Sequence, residues 1–169
     1  MTSGKAPAGS DEVLAALHGL DIPAPTVHHP AVFTVAEAKA LRGDLPGAHT
    51  KSLFLRNKKG AMWLVVARED RTIDLRRLGE LLGAGRLSFA SPERLQRHLG
   101  VIPGAVSPFA VINDEDGSVT VVLDADLRDE DPLNFHPLDN TMTTAISCDD
   151  LVRFLQAYGH PPRFIDFAA

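Results

Sequence analysis

Two hydrophobic periods run along this chain, one helical and one alternating. Val13, Leu14, Leu17 and Leu20 recur at helical spacing behind Ser10, Asp11 and Glu12, and Gly19 and Pro23 end the stretch. Thr26–His29 is predicted as a short strand stopped by Pro30. Thr34 and Glu37 form a capping box for a second helix, with Val35, Ala38 and Leu41 as its apolar stripe and Gly43 at its end. Thr50–Arg56 and Ala61–Ala67 flank the turn Asn57-Lys58-Lys59-Gly60, which predicts a hairpin.

The second half repeats this alternation. Asp74 caps a helix through Leu75, Leu78, Leu81 and Leu82 that stops at Gly83. Ser91 caps another, with Pro92 in its first turn, Leu95 and Leu99 on its apolar side and Gly100 at its end. Phe109–Ile112 and Val119–Leu123 read as strands around the loop Asn113–Gly117. Leu133–His136 and Thr143–Ser147 read as two more strands, and Asp149 as the cap of a last helix from Leu151 to Tyr158. Hairpins interleaved with single helices predict one mixed α/β (α+β) domain over residues 10–169 with a largely antiparallel sheet. Residues 1–9 are expected to fray as a flexible N-terminus.

Composition narrows the function classes. The chain has 169 residues, 44% hydrophobic and 23% charged, close to a soluble globular average. Its single cysteine, Cys148, makes neither an internal disulfide nor a multi-cysteine zinc site and suits a reducing cytoplasm. The longest apolar runs, such as Ala61–Ala67, fall far short of the ~20 residues of a membrane span, and the N-terminal residues lack the apolar core of a secretory signal. Lys and Arg number 17 against 22 Asp and Glu, a net charge of −5, so any nucleic acid must be met through a local basic patch.

Several familiar chemistries are absent. No G-x-S-x-G elbow, P-loop or G-x-G-x-x-G occurs. His28 and His29 point to opposite faces of a strand and read as structural or surface residues rather than a metal pair. Asp114-Glu115-Asp116 reads as a solvated turn and Cys148 as a small buried apolar residue. Three segments carry more. Lys51 opens an apolar strand, where a lysine reaches a cleft while its stem lies on the core, or else simply sits at the surface. Gly104–Pro108 is a stiff loop that either lets a ligand approach the backbone or merely connects two elements. Asn134–Thr144 gathers His136, Asn140 and several hydroxyls around a proline turn, as a substrate-orienting cluster or as ordinary turn chemistry.

In that order, Lys51-Ser-Leu-Phe-Leu55, Gly104-x-x-x-Pro108 and Asn134-Phe-His-Pro-x-x-Asn-Thr141 resemble the YbaK/prolyl-tRNA-synthetase-associated domain family. The likeness runs from about Pro25 to Phe167 and is greatest to its free-standing prolyl-tRNA editing branch (the ProX or PrdX type). The resemblance implies a mostly antiparallel, partly barrel-like sheet flanked by helices. It implies hydrolysis of mischarged aminoacyl-tRNA, chiefly removal of alanine from tRNA(Pro), with no metal or organic cofactor. The implied partner is the tRNA(Pro) acceptor end carrying a small amino acid. Prolyl-tRNA synthetase and a second copy of the chain are further candidate partners, and no membrane is expected. By the same resemblance Lys51, Gly104 and His136 are the catalytic candidates. Pro108, Asp124, Asn140 and Thr141 are the substrate-binding ones, with Asp126 close enough to Asp124 to compete for its place. Val32, Phe33, Phe54, Leu55, Ile112 and Met142 are candidates for a wall that excludes proline, and Arg42, Lys51, Arg56, Lys58 and Lys59 for a basic strip. The alternatives are cysteine as the residue removed, a non-catalytic tRNA- or synthetase-binding module, and a hydrolase of small esters.

Overall fold

A computed structural model describes residues 7–31 and 47–167, so the predicted helix from Thr34 to Gly43 lies outside the described residues, as do Val32, Phe33 and Arg42. The strands are β1 (Thr26–His28), β2 (Ala48–Asn57), β3 (Met62–Arg68), β4 (Leu87–Phe89), β5 (Val119–Asp124), β6 (Leu133–Phe135), β7 (Met142–Ile146) and β8 (Arg163–Ile165). They join one sheet in the order β1-β7-β6-β2-β3-β5-β8, with β4 paired to β2 off that path. The hairpin β2–β3 is antiparallel, as are β1–β7, β6–β7 and β2–β4. The pairings β2–β6, β3–β5 and β5–β8 are parallel, so the sheet is mixed.

Alternation along β2, β3 and β5 explains why the sheet is buried on both sides. Phe54, Leu64, Val66, Val121 and Leu123 belong to one core cluster; their neighbours Leu55, Val65 and Val122 belong to a second cluster on the other face. The first face is covered by α1 (Ser10–Gly19), α3 (Pro92–Leu99) and α4 (Cys148–Ala157), through Val13, Leu17, Leu95, Leu99, Leu151 and Phe154. The second face carries α2 (Leu75–Leu82), seated by Leu78 and Leu82.

Local chemistry sets the helix ends. Asp74 accepts from the Arg76 N–H at 3.0 Å and Ser91 from the Arg94 N–H at 3.1 Å, while Gly83 and Gly100 close α2 and α3 in the left-handed conformation. The last helix is capped by Ser147 rather than Asp149: its hydroxyl accepts from the Asp150 N–H at 3.1 Å, and Asp149 moves into the acidic first turn.

Other expectations need correction. Phe109–Ile112 is not a strand; Pro108–Asn113 is a 3-10 helix that drives Phe109, Ala110 and Val111 into the core. Pro108 stands at its first position, where a missing N–H costs nothing. The backbone at Ala8 and Gly9 is hydrogen-bonded to the rest of the fold. Ala8 exchanges hydrogen bonds with the Asn113 side chain at 2.7 and 3.1 Å, and the Gly9 N–H donates to Glu12. Asp114 is not part of a solvated turn: it is buried against His160, whereas Glu115 and Asp116 are exposed. Among the described residues, no helix is long and apolar enough to cross a membrane.

Candidate functional site

Lys51 shares its side of β2 with Leu53 and Leu55, so it points to the face that α2 covers. Its ammonium donates to the main-chain carbonyl of Arg71, in the loop between β3 and α2. The Arg71 guanidinium in turn grips Asp124 through Nε and Asp126 through Nη2, and lies 5.5 Å from the centroid of the Phe167 ring. Asp124 ends β5 on the same face as Val122. It is fully buried, and its second oxygen accepts from the Asp126 N–H at 3.0 Å. Burial works against the Arg71 charge, but the hydrogen bond to Asp124 and the two carboxylate charges outweigh it and hold its pKa above the ordinary value.

β6 runs parallel to β2 with His49 opposite Asn134, and the Thr50 hydroxyl donates to the Asn134 carbonyl at 2.7 Å. Continuing that register two residues along each chain sets His136, just past the end of β6, level with Lys51 and on the same face. His136 Nδ1 lies 2.7 Å from the Met142 carbonyl, which only accepts, so Nδ1 carries the proton and Nε2 keeps its lone pair. Burial lowers its pKa, His29 adds to the shift, and the Met142 carbonyl opposes it. His29 stands 5.9 Å away, ring to ring, and its Nε2 meets the Thr143 hydroxyl at 2.8 Å.

The turn beyond His136 is held from within. Thr141 donates both its N–H, at 2.8 Å, and its hydroxyl, at 2.6 Å, to Asp139, and those bonds pull the Asp139 pKa down. Asn140 is buried. The Gly104–Pro108 loop is fastened from the opposite face: Ala105 and Pro108 are buried, and Phe109 packs edge-on against Phe135 at 5.8 Å. The loop is thus tied to the strand that delivers His136. No hydrogen bond among the described residues joins the loop to Lys51.

The structure thus brings Lys51, Asp124 and His136 to one face and leaves the glycine loop on the other side of Phe135. Phe54 and Leu55 point to opposite faces, so they do not form one wall. The basic strip also divides. From Lys51 to Asn57 the strand covers about 20 Å, which puts Lys58 and Lys59 at the far end of the hairpin.

The profile of the aminoacyl-tRNA editing domain family matches residues 29–154, a stretch that contains all of these groups except Phe167. The chain belongs to this family. The editing-domain chain is 39% identical over 155 residues to the prolyl-tRNA editing protein ProX of Acetoanaerobium sticklandii, covering 91% of this chain and 94% of that protein. It is also 39% identical over 161 residues to prolyl-tRNA synthetase associated domain-containing protein 1 of Xenopus laevis, covering 92% and 95%. In fold it is similar to a solved structure described as a candidate trans-editing enzyme for prolyl-tRNA synthetase, with a TM-score of 0.70 at 23% identity over 96% and 98% of the two chains.

Two members of the editing-domain site were not found from sequence. Arg71 contributes a carbonyl to Lys51 and a guanidinium to Asp124, 53 positions away, and no local pattern marks such a residue. The available signal was Asp124 itself, since a carboxylate ending an apolar strand needs a cation when it is buried. His29, which the sequence offers as a structural or surface residue, meets both Thr143 and the His136 ring.

Proposed function

We propose that this editing domain hydrolyses the ester of alanine mischarged onto tRNA(Pro) and spares prolyl-tRNA(Pro). Family membership and the 39% identity to a prolyl-tRNA editing protein support the aminoacyl-tRNA ester as substrate class. The observation that supports the catalytic part is the β2–β6 register, with His49 opposite Asn134, which continued by two residues faces Lys51 and His136 the same way.

In the proposed reaction, water adds to the ester carbonyl, the bond from carbonyl carbon to ribose oxygen breaks, free alanine leaves, and the ribose hydroxyl takes a proton. An aminoacyl ester is already reactive, so positioning and charge stabilisation suffice. Lys51 has three donors and spends one on Arg71. The others are assigned to the terminal phosphate or the ester oxygen that becomes negative. His136 Nε2 accepts from the substrate amine or the terminal ribose, with Asn140 and Thr141 shaping that end. The Gly104–Pro108 loop, on the other side of Phe135, acts on the site through Phe109, which packs on the strand that delivers His136. Asp124 serves the site through Arg71.

Size supplies selectivity. A synthetase pocket built for proline rejects a smaller residue by only ~1–3 kcal/mol per missing methylene, whereas a second pocket that admits alanine refuses the larger ring. The test is deacylation of tRNA(Pro) charged separately with alanine, cysteine and proline. Loss of alanine alone, slowed about 10²–10³-fold in Lys51→Ala, is the expected result. Loss of cysteine alone moves the substrate within the family, and an unaffected Lys51→Ala overturns the lysine's role.

A further inference from the structure

The far end of the β2–β3 hairpin differs in charge from the molecule as a whole. Lys58 and Lys59 are exposed in the turn. Asn57 pairs with Leu87, so the register sets Arg86 beside Lys58, and the Asn57 amide donates to the Ala84 carbonyl at 3.1 Å to lock the two loops together. Lys58, Lys59 and Arg86 have no acidic partner among the described residues. Arg86 also lines a cleft of about 650 Å³ with Arg76, floored by Gly83 and Gly85, in which Glu80 is the one acid. Apart from each glycine's own chain neighbours, no atom lies within 4 Å of where a side chain would start on either one, so the floor is open backbone. Phe89 is 61% exposed and projects on the same side of β4 as Leu87, which lines the cleft. In a chain of net charge −5, this concentration of cations beside an exposed aromatic ring is a local reversal.

α2 connects this end to the candidate site. It starts just after Arg71 and runs about 12 Å to the Gly83 turn, with Arg76 exposed on its outer side. We infer that the outer side of α2, the Arg76–Arg86 cleft and the Lys58–Lys59 turn form a docking track for the phosphodiester backbone of the RNA whose charged end lies at Lys51. The inference rests on the function proposed above. The cations neutralise phosphates, the bare glycine backbone allows close approach, and Phe89 offers a flat face to an unpaired base. Glu80 opposes the track and tempers it.

The experiment compares alanyl-tRNA(Pro) with the alanyl ester of the 3′-terminal trinucleotide, which is too short to reach the hairpin end. The triple variant Lys58→Ala/Lys59→Ala/Arg86→Ala is expected to raise KM for the charged tRNA at least tenfold. It should flatten the slope of log KM against log salt by about 2–3, at roughly 0.7–0.9 for each of the three lost phosphate contacts, and leave trinucleotide turnover unchanged. Glu80→Gln is expected to lower KM for the tRNA severalfold, a gain that a folding defect does not mimic. An unchanged tRNA KM and salt slope in the triple variant overturn the track, also where the variant instead loses binding to prolyl-tRNA synthetase. Salt-dependent binding of uncharged tRNA(Pro) is measured in parallel. If the native protein hydrolyses neither substrate yet its tRNA binding weakens in the triple variant, the track stands and the hydrolase reading falls.

Discussion

Lys51 donates to the carbonyl of Arg71, and Arg71 is itself clamped by the buried carboxylate of Asp124. A side chain at the start of β2 is thereby positioned from the end of β5, through a residue that belongs to neither strand.

Loss of this clamp is expected to damage activity and stability by separable amounts. Arg71→Ala leaves Asp124 buried and unpaired, at a cost of about 3–5 kcal/mol, and lets the Lys51 ammonium drift, which lowers kcat/KM by about 10²-fold. Adding Asp124→Asn removes the orphaned charge. Urea denaturation of the double variant should recover most of the lost stability while deacylation stays impaired. Recovery of both would mean that Arg71 serves the fold alone.

His136 sets a pH expectation. Burial holds its pKa below the ordinary 6.5, so its Nε2 lone pair persists into mildly acid solution. Deacylation is expected to stay level down to pH 6.5 and to fall only below it, as Nε2 becomes protonated. His136→Asn should lose that acid limb along with rate. A limb centred above pH 6.5, or one that survives in His136→Asn, contradicts the assignment.

A second histidine governs stability. His160 Nε2 meets Asp114 at 2.8 Å and its Nδ1 meets the Tyr158 carbonyl at 2.7 Å, so both nitrogens face acceptors and the geometry favours the protonated ring. The hydrogen bond to Asp114 raises the His160 pKa against the effect of burial. Burial pushes Asp114 up, but the hydrogen bonds from His160 and the Val119 N–H outweigh it and bring its pKa down. The His160 contribution is complete below pH 6.5 and is lost as pH rises through its higher folded value. The Asp114 contribution is complete above pH 3.8 and is lost as pH falls through its lower folded value. Urea stability should therefore gain most from the pair between pH 3.8 and 6.5. His160→Gln should cost about 3–5 kcal/mol in that window, and a cost that does not vary with pH would argue against an ion pair.

Gly79→Ala inverts the usual helix rule. Alanine in a helix interior normally gains about 1 kcal/mol over glycine. Here a Cβ would stand 2.0 Å from the Gly85 carbonyl oxygen. The substitution is expected to destabilise by about 1–3 kcal/mol in a melting experiment, because α2 must lift off the loop it touches. An unchanged melting temperature would show that the Gly85 loop yields freely.

What could be read from sequence was whatever a short window encloses. Asp74, Ser91, Gly83 and Gly100 act over one turn of chain, and each stands where its pattern places it. The run Phe109–Ile112 has no period to tell strand from helix, and burial of three successive residues was decided by the surrounding core. Strands β4 and β8 have three residues each and exist because β2 and β5 offer them edges. Three candidate motifs were legible through their likeness to a family, and strand pairing turns Lys51 of the first and His136 of the third to one face while the glycine loop packs on the other. The supports, Arg71 for Lys51 and His29 beside His136, come from distant segments and emerge only once the strands are paired.

Strand β2 runs ten residues, with β6 on its edge near Ala48 and β4 on the same edge near Asn57. It behaves as a ruler with the lysine marked at one end and the cationic turn at the other. Inserting one residue between Leu53 and Leu55 would turn one end over relative to the other, whereas inserting two would keep both facings and lengthen the scale by about 7 Å. In the docking inferred above, a domain lengthened in this way would still hold the charged end of the RNA but would grip the stem at a different phosphate, and so would score substrates by their length.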